Sequence, residues 1–287
     1  MHIILGGTGQ GGSATARALL KRGEPVTVVT RDASHGSDLR DAGARIAVVD
    51  IHDITGLRDV FRTGTRAFLL NPPAAPSGDT DTEERASVTA IVEALDGSGL
   101  QKIAAASTYG ARPGERCGDL TVLYEFEEKL GAQSIPTAIN RGAYYMSNWL
   151  GMLDTVRKHG TLTSFFPADF AFPMVAPQDL GEAAARRLME SAHETGLHFV
   201  EGPERYSPRD VADAFAEALG ITVEVETIPR EDWEKTFLQF GFSQEAAKSY
   251  ACMTGTVVDD KAEWPDRPER GTTTLRDFIR GNVEATG

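Results

Sequence analysis

The chain has 287 residues, enough to bury a sizeable core as one large domain or two modest ones. Apolar residues make up 41% and charged residues 25%, the balance of a soluble globular protein. The formal net charge of −13 excludes the basic footprint that non-specific nucleic-acid binding requires, so no nucleic-acid partner is expected. No stretch reaches the roughly 18 apolar residues of a membrane span, so no membrane partner is expected either. Met1 runs straight into an apolar strand, without a basic segment and long apolar core before it, and a cytoplasmic location is expected. The two cysteines, Cys117 and Cys252, form no C-x-x-C pair and are read as free thiols in a reducing compartment.

The first half alternates short apolar runs with amphipathic stretches, the pattern of a parallel sheet wrapped by helices. Strands are predicted at His2–Leu5, Pro25–Thr30, Arg45–Asp50, Ala67–Leu70, Lys102–Ala106 and Pro136–Asn140. Helices fall between them at about Ser13–Arg22, Leu39–Gly43, Ile54–Thr63, Thr82–Gly97 and Thr121–Gln133. The second half is less regular, with helices at Leu180–Ala192 and Pro208–Leu219 and strands at Leu197–Glu201 and Thr222–Ile228. Further helices run through Gly241 and again from Gln244, and a proline-bearing loop over Trp264–Gly271 precedes a last helix ending near Ile279. The expected fold is a Rossmann-type, doubly wound α/β domain over 1–148, with a smaller α/β lobe over 149–287. One segment of that lobe, near 197–201, is expected to return to the main sheet.

Between the first strand and the first helix lies Gly6-Gly7-Thr8-Gly9-Gln10-Gly11-Gly12, with Gly6, Gly9 and Gly12 in G-x-x-G-x-x-G spacing. A tight glycine turn lets backbone approach a pyrophosphate, and the free N–H groups of the following helix then face the anion. Gly6, Thr8, Gly9, Gln10, Gly11 and Gly12 are therefore candidate cofactor residues. The second strand ends Thr30-Arg31-Asp32, about 19 residues after Gly12, where the ribose is read. Arg31 suits the 2′-phosphate of NADP(H), while Asp32, one residue later, competes for the ribose; NADP(H) is favoured over NAD(H). Asp50, followed by Ile51, is read either as a partner of the adenine edge or as a helix N-cap.

These residues resemble the NmrA-like family of atypical short-chain dehydrogenases/reductases. The resemblance rests on the glycine run, on Arg31 and on a later stretch. That stretch holds Glu127–Leu130, Ile135–Arg141, Tyr144, Tyr145 and Asn148. It extends over nearly the whole chain, including Pro177-Gln178-Asp179-Leu180-Gly181. The family includes quinone, dye and isoflavone-type reductases and redox-sensing regulators. The resemblance implies that the nicotinamide half of the cofactor lies against the ends of strands four to six. This nominates Asn71, Pro72, Pro73, Ser107, Thr108, Arg141 and Ala143 as further cofactor residues.

Short-chain dehydrogenases usually carry a Tyr-x-x-x-Lys acid/base pair. Here Tyr124 and Lys129 have four residues between them, and on a helix they stand about 140° apart. Leu123 stands where a lysine would precede the helix glutamate, so the usual pair is expected to be missing. Tyr109, Tyr124, Tyr144 and Tyr145 are the substitute proton donors to weigh against packed aromatics with bonded hydroxyls. Trp233, Phe237, Phe240, Phe242, Tyr250, Met253 and Trp264 either wall an apolar pocket or form core, with core favoured for the first three. His159, His193 and His198 show no metal-ligand spacing, and no metal is expected. The resulting expectation is NADPH-dependent reduction of a small aromatic or quinone-like electron acceptor. The alternative is a non-catalytic NADP(H) sensor that binds a protein partner; monomer and homodimer stay open.

Overall fold

Val26-Thr27-Val28-Val29-Thr30 is β-branched throughout, and such a strand needs both faces covered by other elements. The computed structural model, which describes residues 1–259, 262 and 264–286, has that arrangement. In chain order its elements are β1 (His2–Ile4), α1 (Gln10–Lys21), β2 (Val26–Thr30), α2 (Ser37–Asp41), β3 (Arg45–Val48), α3 (Ile54–Arg62), β4 (Arg66–Leu69), α4 (Thr80–Leu95), β5 (Lys102–Thr108), α5 (Asp119–Gly131) and β6 (Thr137–Gly142). The second half adds β7 (Tyr144–Tyr145), α6 (Leu153–His159), β8 (Thr161–Ser164), β9 (Phe172–Val175), α7 (Pro177–Met189), β10 (Gly196–Glu201), β11 (Arg205–Tyr206), α8 (Pro208–Leu219), β12 (Glu224–Thr227), α9 (Trp233–Gln239), α10 (Gln244–Val258), β13 (Glu269–Arg270) and α11 (Leu275–Ala285).

Among the described residues eight strands form one parallel sheet in the order β13-β10-β6-β5-β4-β1-β2-β3. Alternation along each strand sends side chains to opposite faces. Ile3, Leu5, Ala67, Leu69, Ile103 and Ala105 pack under α3, α4 and α5. Ile4, Val28, Phe68 and Ala104 pack under α1, α2 and α7. The sheet reverses direction of growth between β1 and β4, and ligands of open α/β sheets bind in the crevice at such a switch point.

Gly181 decides how α7 lies on α1. A Cβ there would sit 2.4 Å from the Ala14 carbonyl carbon, so only glycine allows this approach. The smaller lobe is built around Trp149, Phe166, Phe172, Phe215, Phe278 and neighbours, with α8 and α11 packed together. The stretch Trp264–Gly271, expected to be loop, contains β13, which lengthens the main sheet by pairing Glu269 with Val200. Its two residues fall in a charged, proline-flanked segment and carry no strand periodicity to read.

The thiol expectation is overturned. Cys117 and Cys252 form a disulfide between the segment before α5 and helix α10. They lie 135 residues apart, so only the tertiary fold brings them together.

Candidate functional site

The glycine run forms a cradle at the switch point. Gly6 adopts φ +65°, the left-handed region, and the Gly9 N–H donates to the Gly6 carbonyl at 3.0 Å. A Cβ on Gly12 would stand 2.2 Å from that same carbonyl oxygen, so α1 can begin here only with glycine. Gly9 caps α1 without a side-chain hydrogen bond. The amides of Gln10, Gly11 and Gly12 find no acceptor among the described residues. Three free N–H groups at the positive end of a 12-residue helix make an anion site. Thr8 and Thr30, whose hydroxyls are 3.3 Å apart, tie the loop to the end of β2.

At that end Arg31 and Asp32 behave differently. Arg31 is exposed and makes no hydrogen bond or ion pair with the described residues. The Asp32 carboxylate accepts from both the amide and the hydroxyl of Ser34 at 2.8 Å, and these bonds hold it below the usual aspartate range. The guanidinium is therefore available to a ligand, while the carboxylate is already engaged. Asp50 accepts from the His52 amide at 2.8 Å, forming a turn beside half-buried Ile51. The N-cap reading of Asp50 is corrected: Asp53 caps α3, accepting from Gly56.

The ends of β4, β5 and β6 gather the remaining candidates. Asn71 donates to the Glu84 carbonyl at 3.2 Å, fixing the Asn71-Pro72-Pro73 loop to α4. Glu127 takes two hydrogen bonds from Arg141 at 2.8 and 2.7 Å and a short one from Ser107, all buried. Arg141 also lies over the Phe199 ring. This ion pair fixes β5, β6 and α5 together beneath the cleft. Thr108 donates to the Tyr109 carbonyl, and Ala143 is buried with its amide on Val200.

The tyrosines divide by their surroundings. Tyr109 donates its hydroxyl to Glu201 and packs edge-on to Phe199, and burial beside that carboxylate pushes its ionisation well up. Tyr124 is half-buried on α5 without a hydrogen-bond partner among the described residues, whereas Lys129 pairs with Glu125 at 2.8 Å. No tyrosine–lysine pair forms there. Burial pushes Tyr144 up to about 12, although a hydrogen bond with Asn148 opposes it. Tyr145 is likewise at about 12, and a methyl group on Gly11 would come within 3.8 Å of its hydroxyl. Tyr145 thus stands beside the glycine cradle.

The sequence reading missed the acids of this cleft. Glu84 is 4% exposed on α4, and its Oε1 accepts from the Ala74 amide at 3.0 Å. Burial, then the neighbouring Asp119 charge, pushes it up to about 8, so it holds a proton at neutral pH. Asp119 opens α5, and desolvation by the surrounding protein raises its ionisation. The ionisation of Tyr250 on α10 is raised by burial and then by the charges of both carboxyls. Periodicity offered a signal for Glu84, because it shares a helix face with buried Val88, Ile91 and Leu95. In the aromatic arm, Trp233 and Phe237 are core, with Phe237 stacked on Phe165 at 4.2 Å. The core expectation fails for Phe240, which is 54% exposed beyond the end of α9. No helix is long and apolar enough to cross a membrane, and no metal-binding cluster occurs among the described residues.

Fold and site define a Rossmann-type, doubly wound α/β protein with an open anion cradle at its switch point. Residues 2–264 match the NmrA-like family, and the chain belongs to that family. It is 22% identical to the NAD(P)H azoreductase of Xenophilus azovorans over 296 residues, covering 100% of this chain and 99% of that protein. The fold is similar to that of the triphenylmethane reductase of Citrobacter sp., with TM-score 0.81, 18% identity and 99% of each chain covered. It is also similar to an NADPH-dependent quinone oxidoreductase of Escherichia coli complexed with NADPH, with TM-score 0.78 and 19% identity over 98% of this chain and 99% of that one.

Proposed function

We propose that this protein is an NADPH-dependent oxidoreductase that reduces a small aromatic or quinone-like acceptor. The observation that carries the reading is the pairing of the glycine cradle with an unengaged Arg31 beside an engaged Asp32. The cradle fits a pyrophosphate because its amides are free and no Cβ fills it. Gln10, Gly11 and Gly12 would hold the pyrophosphate, Arg31 the 2′-phosphate, and the Asn71–Pro73 loop would flank the nicotinamide. The relatives named above, reductases of dyes and quinones, support the choice of chemistry.

When bound, the nicotinamide cofactor supplies the hydride. The chain's own part is orientation, exclusion of water and a proton. Tyr144, Tyr145 and Tyr250, each partly buried, would wall the acceptor site and keep bulk water from it. Glu84 holds its proton on Oε2, because Oε1 accepts from Ala74 and the neighbouring Asp119 disfavours a second charge. That proton balances the charge an acceptor gains on reduction. A delocalised acceptor asks for no stronger acid, which suits the absence of a tyrosine–lysine pair.

The test is consumption of NADPH and NADH in parallel against quinones, azo and triarylmethane dyes, and enones. Turnover faster with NADPH on at least one acceptor is expected. Tight NADPH binding with no turnover across the panel would refute the reductase reading.

A further inference from the structure

The Cys117–Cys252 bond joins the segment before α5, which carries Asp119, to helix α10, which carries Tyr250. Cys117 ends the loop that follows β5 and stands two residues before Asp119. Cys252 lies on α10 between Tyr250 and Met253. Two weaker ties run beside it: Ser249 donates to the Arg116 carbonyl at 3.3 Å, and the Asp119 amide donates to the Met253 sulfur at 3.2 Å. Arg116, next to the bond, is the one non-glycine residue of the described chain with a positive φ, at 50°. A conformation that disfavours a Cβ persists only where neighbouring contacts enforce it. The two halves of the bond also differ in access. Cys117 is 6% exposed, whereas Cys252 is solvent-exposed.

We propose that Cys117–Cys252 is a thiol–disulfide exchange site that a dithiol reductant opens, and that the closed bond holds α9 and α10 against the acceptor cleft. A thiolate of the reductant attacks the exposed Cys252 sulfur, and a mixed disulfide forms as the bond to Cys117 breaks. Cys117 leaves as a thiolate next to the Thr256 hydroxyl, 3.8 Å away, and takes a proton from water. The second thiol of the reductant, as its thiolate, then attacks its own mixed-disulfide sulfur, releasing Cys252. The reductant ends as a disulfide, and the two protons it gives up leave both cysteines as thiols. Opening removes the covalent tie and leaves Ser249–Arg116 and Asp119–Met253 between the middle of α10 and the segment before α5, while the hydrogen bonds of Ser243 to the Pro76 and Gly78 carbonyls still anchor the N-terminal end of α10. The arm carrying Tyr250 and Met253 then swings with less constraint, so the cleft is less organised for its acceptor. The cradle and Arg31 lie on other elements, and cofactor affinity stays as it was.

The effect on acceptor rests on the reductase reading above, so the test has arms that do not need turnover. Full-length protein is prepared oxidised, then reduced with dithiothreitol and freed of it anaerobically before assay. Thiol titration is expected to find none in the oxidised form and two after reduction. Amide exchange over α9 and α10 is expected to quicken at least tenfold on reduction, with the NADPH Kd unchanged within twofold. Acceptor KM is expected to rise at least fivefold, and Cys252→Ser to reproduce the reduced values with no response to dithiothreitol. Two thiols that persist after mild oxidation would overturn the proposal, as would equal amide exchange in the two forms. A KM unchanged by reduction would overturn the link to the cleft. Absence of turnover in both forms, with exchange still responding, would count against the reductase reading and leave the exchange site standing.

Discussion

Glu84→Gln separates the proton-holding role of Glu84 from its place in the packing. The amide keeps the size of the carboxyl and an oxygen for the Ala74 N–H, but it cannot ionise. In the folded chain Glu84 is raised from 4.5 to about 8, chiefly by burial. An acid raised on folding contributes stability that is whole below pH 4.5, because both states are then protonated. That contribution is lost as pH climbs toward 8, because the unfolded carboxyl ionises first. Over pH 5 to 8 the loss amounts to about 3 kcal/mol, at roughly 1.4 kcal/mol per pH unit. A chain of 287 residues unfolds with an entropy of about 0.6 kcal/mol/K, so this corresponds to a fall in Tm of about 5 °C. Thermal melts from pH 5 to 8 should therefore show a slope in the parent that flattens in Glu84→Gln. Acceptor turnover should fall in the variant at every pH, and kcat of the parent should decline above about pH 8. A parent and variant with parallel Tm curves would refute the reasoning, since the carboxyl would then not hold its proton in the folded state.

Arg31→Ala should raise the NADPH Kd about 10- to 100-fold, the worth of a charge-assisted contact to phosphate, and leave NADH within a factor of about two. Titration of cofactor fluorescence checks it, and equal losses for both cofactors would contradict the assignment. Glu127→Gln leaves the buried Arg141 facing an uncharged amide, and stability should drop by about 3 kcal/mol, read as a Tm about 5 °C lower. A drop below about 0.5 kcal/mol would show that the pair does not anchor β6 to α5. Lys129→Ala should leave kcat unchanged within about twofold, because Lys129 pairs with Glu125 and not with a tyrosine. A loss of tenfold or more would return Lys129 to the chemistry.

The cradle was legible because its demands are local. Gly6 at positive φ and Gly12 against the Gly6 carbonyl are fixed by a few consecutive residues, and the following helix writes its own periodicity. The parallel sheet was legible for the same reason, since apolar runs buried on both faces need no knowledge of their neighbours. β13 and the disulfide were not. Both are created when distant segments meet, and neither Glu269-Arg270 nor a lone cysteine carries a pattern that names its partner. Glu84 is the instructive case: it occupies an apolar position of α4, and that mismatch was visible before any fold was known.

A carboxyl on the buried face of a helix is costly unless it stays neutral, and the surrounding chain keeps it so. Among the described residues Glu84 receives one backbone N–H, no cation and the nearby charge of Asp119. A fold under pressure only for stability would place an apolar side chain at this position and gain from it. Glu127 shows what the same fold does with a carboxyl that serves structure: it surrounds both oxygens with Arg141 and Ser107. The contrast between two buried glutamates on neighbouring helices is what assigns them different work. Glu127 is satisfied on both oxygens by Arg141 and Ser107 and holds β6 to α5, whereas Glu84 has a single backbone hydrogen bond and a raised ionisation, which fits the proton-carrying role proposed for it.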